Sequence, residues 1–348
     1  MIIGYLGLKF DGHDTAAFLI LPQSKQLCGL STERLTRIKH DRLFPIHTIY
    51  RIFEAARDGL AKVQHLRCAS SFTSHERRLY PVDKYESDVA ARGLLFKPIA
   101  HLPTLAGGAD QKANGLVAPL PHPAYERLDE TILRCISALL PSTTISLKHF
   151  DHEYCHAQCA YQFSPYREAL VLTMDGLGDD GVFSRAYVGK AGRLLPIAYS
   201  ASAYRISSNG PHGRFSNPCS LGGIFTYFTC LIGFKPNCDE GKVEALAAFG
   251  RCLPTLHDAL IKATKINSST HAIDLDEEQL SRIFAACDVL TPNDTMRADI
   301  AATAQLFAEE ILISYIKHLL ALTGTRAVCL SGGGVRKRAG EYACGGVG

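Results

Sequence analysis

The chain has 348 residues, of which 47% are hydrophobic, and this is enough to bury a large core in two lobes. Its formal charge is +3 and it has no long basic block, so no nucleic-acid partner is expected. Its twelve cysteines are scattered without a CxxC pair, and no signal peptide precedes the first strand, which indicates free thiols in the cytoplasm. No apolar run reaches the ~20 residues that a membrane helix needs, so no membrane partner is expected.

The first part of the chain predicts a small β-unit followed by helices. Three short strands with tight Gly or Asp turns are predicted at 2–9, 15–21 and 26–31. Helices are predicted at 46–58 and 125–139. Residues 76–123 have the weakest periodicity and scattered Gly and Pro, so they are predicted to form an irregular insertion.

The same unit is predicted to begin again in the second half of the chain. Strands are predicted at 169–175, 181–189 and 193–199, and helices at 221–232, 241–249 and 296–323. In each copy the first strand ends in a small acidic loop, at 11–14 and at 175–180. The pattern predicts two α/β lobes that face a cleft, formed by residues 1–168 and 169–333.

A candidate metal site is predicted around the stretch 150–165. His152 and His156 stand four residues apart at the start of a predicted helix, a spacing that lets two imidazoles bind one divalent metal. Asp175 closes the next strand, where α/β folds commonly place metals and phosphates. The alternative is that His152 caps the helix while His156 packs in the core.

The sequence around these histidines carries a family resemblance. FDHEYCHAQCAYQFSPYREALVLTMDGLGDDG resembles the signature of the O-carbamoyltransferases, which include nodulation and antibiotic-tailoring enzymes. Further stretches are similar to motifs of that family in the same order: LGLKFDGHDTAAFLI with STERLTRIKHDRLFP, SLGGIFTYFTCLIGFKPNCDEGKVEALAAFG, and AVCLSGG. Four ordered motifs across nearly the whole chain make the resemblance specific, whereas LSGG alone would be weak.

The resemblance implies a duplicated actin/hexokinase-like, ribonuclease H-like ATPase fold with two lobes, and a two-step enzyme. In the family, a carboxyl-terminal domain makes carbamoyl-adenylate from carbamoyl phosphate and ATP. The amino-terminal domain, which this chain matches, transfers the carbamoyl group to a hydroxyl of a sugar or natural product. The matched positions imply that His152, His156 and Asp175 bind a divalent metal, expected to be iron, in a Lewis-acid role.

Other motif residues receive predicted roles. His13 and Asp14 are the candidate catalytic residues, because an imidazole there can orient or deprotonate the acceptor hydroxyl; the alternative is a turn held by Asp14. The candidate nucleotide-binding residues are Lys39, Gly176, Gly178, Glu240, Gly241, Lys242, Ser331, Gly332 and Gly333. They combine helix amino-terminal N–H groups, ammonium groups and glycines that allow close backbone approach. Alternatively, Lys39 lies in an exposed basic turn and Glu240 caps its helix.

The sequence departs from the family pattern at three places. Glu153 stands where the family has a second histidine, and Glu244-Ala245 replaces Met-Gly. Residues 334–348 have no helical periodicity, and back-translation with a shift of one base yields the family's next motif. A frameshifted tail is therefore expected, with an incomplete second lobe, no adenylate-forming domain and impaired transfer.

Two alternatives are a threonylcarbamoyl transferase acting on tRNA and a non-catalytic nucleotide-binding remnant. Acceptor and oligomeric state are not predicted.

Overall fold

The fold is mixed α/β, as the sequence predicts, and it divides into two compact units, Met1–Asp151 and His152–Gly348. A computed structural model of the chain describes residues 1–9, 15–38, 45–70, 79–81, 125–176, 178, 181–202, 204–210 and 213–333. The predicted tail at 334–348 and most of the predicted insertion lie outside these residues. The predicted boundary at 168/169 falls one helix later than the observed division.

The first unit is built on a five-stranded sheet with the order β3-β2-β1-β4-β7. Its strands are β1 (Ile3–Lys9), β2 (Ala16–Leu21), β3 (Gln26–Ser31), β4 (His65–Ser70) and β7 (Thr144–His149), while β5 (Leu79–Pro81) pairs with β6 (Tyr125–Arg127). Its helices are α1 (Thr32–Thr36), α2 (Ile46–Ala55), α3 (Arg57–Leu60) and α4 (Leu128–Leu139). Strands β1 to β3 are antiparallel neighbours, whereas β4 and β7 run parallel to β1.

The core of this unit follows from alternation along its strands. Leu6 and Leu8 of β1 point to the same face and are buried, and residues of β2 alternate in the same way. Helix α2 covers this face with Ile49 and Phe53, which are fully buried. The predicted strands and the α2 helix are confirmed, but β4 and β7 were not predicted.

The second unit contains a four-stranded sheet with the order β10-β9-β8-β15. Its strands are β8 (Glu168–Met174), β9 (Val182–Lys190), β10 (Arg193–Ala201) and β15 (Val328–Ser331), with the hairpins β11 (Arg205–Gly210)–β12 (Gly213–Pro218) and β13 (Thr264–Ile266)–β14 (Ile273–Leu275). Its helices are α5 (His152–Gln162), α6 (Leu221–Leu231), α7 (Glu240–Ala247), α8 (Pro254–Lys262), α9 (Glu277–Asp288) and α10 (Asp294–Thr323). No helix within the described ranges has both the length and the apolar character needed to cross a bilayer.

Strand β8 is the middle layer of this unit, because both of its faces are buried. Leu172 and Met174 face the core that α6 and α10 also form. Val171 faces the other way, into a smaller cluster that includes Ala157 and Tyr161 of α5. The strand is therefore a continuous apolar run, as expected for a strand buried on both faces. Its carboxyl end places Asp175 beside the first turn of α5.

Candidate metal centre

The described structure brings the three predicted metal ligands together. His152 and His156 lie one turn apart on α5, with ring centroids 4.7 Å apart at an interplanar angle of 74°. Asp175 Oδ2 lies 3.1 Å from His152 Nε2 and 3.3 Å from His156 Nε2. The three candidate ligand atoms are within 4.8 Å of one another, in the only such group of three among the described residues. The alternative in which His156 only packs in the core does not fit this geometry.

Ser331 fixes the second nitrogen of His156. It ends β15, which runs parallel to β8 with Ser331 opposite Thr173, and its Oγ lies 3.2 Å from His156 Nδ1. A hydrogen bond at Nδ1 sets the ring orientation and leaves Nε2 directed at Asp175. Ser331 was predicted as a nucleotide-binding residue, and its observed contact is to a candidate metal ligand.

The glycines that follow Ser331 pass close to the end of β8. Gly332 has φ +102°, and a Cβ atom on it would collide with the Met174 carbonyl. A Cβ atom on Gly333 would lie 3.1 Å from Asp175 Oδ1. Both predicted glycines therefore border the candidate metal centre, and Gly332 is required by the backbone itself.

The loop after β8 is held by the start of α6. Asp175 Oδ1 accepts a hydrogen bond from the Gly176 N–H at 2.7 Å, and Ser220 Oγ donates to the Gly176 carbonyl at 2.6 Å. Ser220 also caps α6 by accepting from the Gly223 N–H at 2.8 Å. A Cβ atom on Gly222 would lie 2.7 Å from Gly176 Cα. The helix backbone therefore approaches the loop backbone so closely that there is no room for a side chain at position 222.

The electrostatic environment keeps Asp175 ionised. Burial alone would raise the pKa of this carboxyl, but hydrogen bonds with His152, His156 and the Gly176 N–H outweigh burial and hold its pKa well below the usual range. Asp175 is therefore anionic at neutral pH, as a candidate oxygen ligand should be. Two imidazoles and one carboxylate are a donor set that suits first-row divalent metals.

Glu153 lies beside these ligands and is fully buried. Among the described residues, neither of its carboxylate oxygens has a partner at an ordinary hydrogen-bond distance and angle, and the nearby Thr173 hydroxyl lies 3.3 Å from the Arg185 carbonyl. Burial raises the pKa of Glu153, opposed by Thr173 and by His152. The sequence marks Glu153 only as a departure from a motif.

The predicted residues at the start of α7 contact one another. Lys242 Nζ lies 3.0 Å from Asp239 Oδ1 and 5.8 Å from the centre of the Phe234 ring. Glu240 Oε1 accepts from the Asn237 N–H at 2.6 Å. Two carboxylates therefore occupy this helix start, where the prediction placed an anionic ligand.

The remaining predicted residues are placed as follows. Gly241 has open space where a Cβ atom would lie. Gly178 donates its N–H to the Val182 carbonyl at 2.6 Å. His13, Asp14 and Lys39 lie outside the described residues.

Comparisons with known proteins place these residues in a family. A family model described as the carbamoyltransferase N-terminus matches residues 108–337, which include the whole candidate metal centre. Protein MJ1058 of Methanocaldococcus jannaschii is 27% identical over 357 residues, covering 95% of this chain and 56% of that protein. Nodulation protein NolNO of Sinorhizobium fredii is 24% identical over 327 residues, covering 92% of this chain and 40% of that protein. The chain thus spans about half the length of the curated relatives it matches.

Among solved structures, HypF of T. kodakarensis is similar with a TM-score of 0.41 and 12% identity, over 98% of this chain and 43% of that one. The assignment of this protein depends instead on the family model, which covers more than half of its residues. This chain belongs to the carbamoyltransferase N-terminus family.

Proposed function

We propose that this chain transfers a carbamoyl group from carbamoyl-adenylate to a hydroxyl of a sugar or natural-product acceptor. The observation that carries the proposal is the convergence of His152, His156 and Asp175 within residues that match the carbamoyltransferase family. The bound metal, proposed to be iron, would act as a Lewis acid that polarises the acyl group and holds phosphate oxygens.

The proposed reaction is an acyl transfer. The acceptor oxygen forms a bond to the carbamoyl carbon, the bond from that carbon to the adenylate phosphate oxygen breaks, and AMP leaves with the electron pair. The hydroxyl proton passes to a general base. His13 is our candidate for this base, with Asp14 to orient it. Asp175 and the two histidines would hold the cation, and Ser331 would keep the His156 ring in position.

The nucleotide sites remain part of the proposal. We assign the glycines around Asp175, namely Gly176, Gly178, Gly332 and Gly333, to close approach of the nucleotide phosphates. Gly176 supports this assignment, because the space where its Cβ atom would lie is open. Lys39 and the Glu240-Gly241-Lys242 segment are the other candidates.

We also propose that the two units are copies of one ribonuclease H-like element, as in actin-like ATPases. Strand order supports this. In the first unit β3-β2-β1 is an antiparallel meander, and β4 runs parallel to β1. In the second, β10-β9-β8 is an antiparallel meander, and β15 runs parallel to β8. Asp175 follows the first strand of the second copy.

The test supplies the donor separately, because the resemblance assigns its synthesis to a carboxyl-terminal domain. A purified adenylate-forming domain of the family generates ¹⁴C-carbamoyl-adenylate from carbamoyl phosphate and ATP, and the 348-residue chain is added with Fe²⁺ and a panel of hydroxylated acceptors. We expect label in an acceptor and release of AMP. His156→Ala should abolish both.

The matched control is His65→Ala, since His65 hydrogen-bonds to Ser146 Oγ at 2.8 Å in the first unit and has no part in the donor set. This variant should transfer label at the wild-type rate. Equal labelling by wild type and His156→Ala would contradict a transfer reaction at this site.

A further inference from the structure

Two histidines of the second unit face one another away from the candidate metal centre. His271 lies in the loop that joins β13 to β14, and His318 lies on α10. His271 Nδ1 is 3.0 Å from His318 Nε2, and the ring centroids are 5.2 Å apart. Both residues are partly buried, so a small ion can reach the two rings from solvent. The contact joins positions 47 residues apart and is therefore made by the fold.

The backbone that carries His271 is held in place independently of the ring contact. The Tyr315 hydroxyl donates to the His271 carbonyl at 3.0 Å, from a position one turn before His318 on α10. The His271 N–H donates to the Asn267 carbonyl at 2.9 Å. His271 also has φ +55°, a left-handed conformation that costs energy in a residue other than glycine. The two imidazoles are thus brought together on a fixed frame.

The spacing of the two nitrogens suits a shared metal ion. Two nitrogen ligands of one ion lie about 2.8–3.4 Å apart, because each is about 2.0–2.1 Å from the metal and the angle between them is about 90–110°. The observed 3.0 Å falls in this range. Without an ion, one ring donates its N–H to the other nitrogen. With an ion, the donating ring would carry its proton on its opposite nitrogen, so that both facing nitrogens become ligands.

The donor set determines which ions the pair would prefer. Among the residues that the structure describes, no third His, Cys, Asp or Glu completes a group of three with these rings. The remaining coordination positions would therefore be filled by water or by an anion from solution. Two imidazoles favour Ni²⁺, Cu²⁺ and Zn²⁺, whereas Mg²⁺, Ca²⁺ and Mn²⁺ favour oxygen ligands.

We propose that His271 and His318 form a second metal site, which binds one nitrogen-preferring divalent ion of the first transition row. The bound ion joins the β13–β14 hairpin to α10, and it keeps positions open to water or to a small anion. This site shares no residue with the candidate metal centre, so it does not depend on the proposed function.

The test counts bound ions by isothermal titration calorimetry. The 348-residue chain is stripped with a chelator and titrated with Ni²⁺, and His271→Gln and His318→Gln are titrated in the same way. Glutamine can still form a hydrogen bond to the remaining ring, but its amide is a poor ligand for Ni²⁺. Each variant should bind one Ni²⁺ ion fewer than wild type. An excess of Mg²⁺ should not displace that ion.

Thermal unfolding gives a second measurement of the same site. Ni²⁺ should raise the unfolding temperature of wild type by more than that of either variant, because binding to the folded state stabilises it. The double variant should respond to Ni²⁺ as each single variant does, since the two rings act on one ion. If the two effects add instead, the rings bind ions separately and the shared site is refuted.

The matched control is His65→Gln. His65 hydrogen-bonds to Ser146 Oγ at 2.8 Å in the first unit, so the substitution removes a hydrogen-bonded imidazole that has no second ring as its partner in that contact. This variant should bind as many Ni²⁺ ions as wild type. His156→Ala should keep the ion that the glutamine variants lose, which separates the new site from the candidate metal centre.

The opposite result is equally clear. Wild-type numbers of bound Ni²⁺ in both glutamine variants would show that the pair is only a hydrogen bond, and the inference would be wrong. His271→Asn is measured in parallel, because asparagine tolerates the left-handed conformation and removes the imidazole. If no variant at either position folds without metal, the two histidines are structural residues and the inference is likewise wrong.

Discussion

The Ser331 hydroxyl lies 3.2 Å from His156 Nδ1, although the two residues are 175 positions apart in the chain. This contact joins the end of β15 to the side of α5 that carries the two candidate histidine ligands. The opposite nitrogen of the same ring lies 3.3 Å from Asp175 Oδ2. His156 is thus held at both nitrogens, which limits the rotation of its ring about the Cβ–Cγ bond.

Removal of the Ser331 hydroxyl should weaken metal binding without unfolding the protein. We expect Ser331→Ala to raise the Kd for Mn²⁺ by about tenfold, because partners that orient a metal-binding histidine typically contribute this much. Ser331→Thr retains a hydroxyl at the same position and serves as the control. If the alanine variant binds Mn²⁺ as tightly as wild type, Ser331 does not orient His156.

Close packing at Gly222 should make this position intolerant of a methyl group. In a helix, Gly→Ala normally stabilises, but the new Cβ atom would lie 2.7 Å from Gly176 Cα. We expect Gly222→Ala to lower the free energy of unfolding by about 1–3 kcal/mol, as overpacking does. Gly241→Ala, where the space is open, should leave it unchanged or slightly higher. Urea unfolding measures both, and equal effects of the two substitutions would refute the close contact.

His47 should make the first unit less stable in acid. It is buried on α2, and burial, aided by the Arg51 charge, lowers its pKa to about 4. The unfolded chain binds a proton near pH 6.5, so between pH 6.5 and 4 the unfolded state binds more protons than the folded state. Stability therefore falls as the pH falls through this window, by about 3 kcal/mol in total, and the loss is constant below it.

The measurement is the free energy of unfolding of the metal-free chain at several pH values. His47→Phe should flatten the slope between pH 6.5 and 4. A His47→Phe protein with an unchanged slope would show that other groups cause the acid sensitivity.

The proposed base can be separated from the metal centre by one substitution. We expect His13→Ala to lower the rate of carbamoyl transfer by about 10²- to 10⁴-fold, the usual contribution of a general base. Its Kd for Mn²⁺ should equal that of wild type, since His13 is not among the three proposed ligands. A parallel loss of metal binding would argue for a structural or ligand role of His13 instead.

Local sequence patterns predicted the elements that carry the candidate metal centre. The strand before Asp175 is a continuous apolar run, and the His152–His156 spacing places two rings on one helix face. Both features can be predicted from residues that are close together in the sequence. Strands β4 and β7 were missed, although the burial pattern of β4 alternates along residues 65–70. That alternation was available in the sequence as a signal for a half-buried strand.

The environment of Glu153 and the contact of Ser331 could not be predicted in the same way. Ser331 reaches His156 only because β15 pairs with β8. This pairing depends on tertiary contacts between distant parts of the chain, which local sequence patterns do not show. Glu153 looks like an ordinary polar residue near a helix start until Thr173 and Gly178 enclose it. Sequence spacing indicates which residues share a helix face, but not what the opposite face will meet.

The double burial of β8 has a consequence for how accurately the chain must fold. If this strand slipped by one residue against its neighbours, Met174 would turn toward His152 and His156, and Asp175 would enter the apolar layer beneath α6. Both changes would be costly. The candidate metal centre would lose the Asp175 carboxylate, and the apolar layer beneath α6 would bury that charge. The alignment of β8 therefore determines whether Asp175 can reach His152 and His156, and misaligned molecules are expected to lack the candidate metal centre.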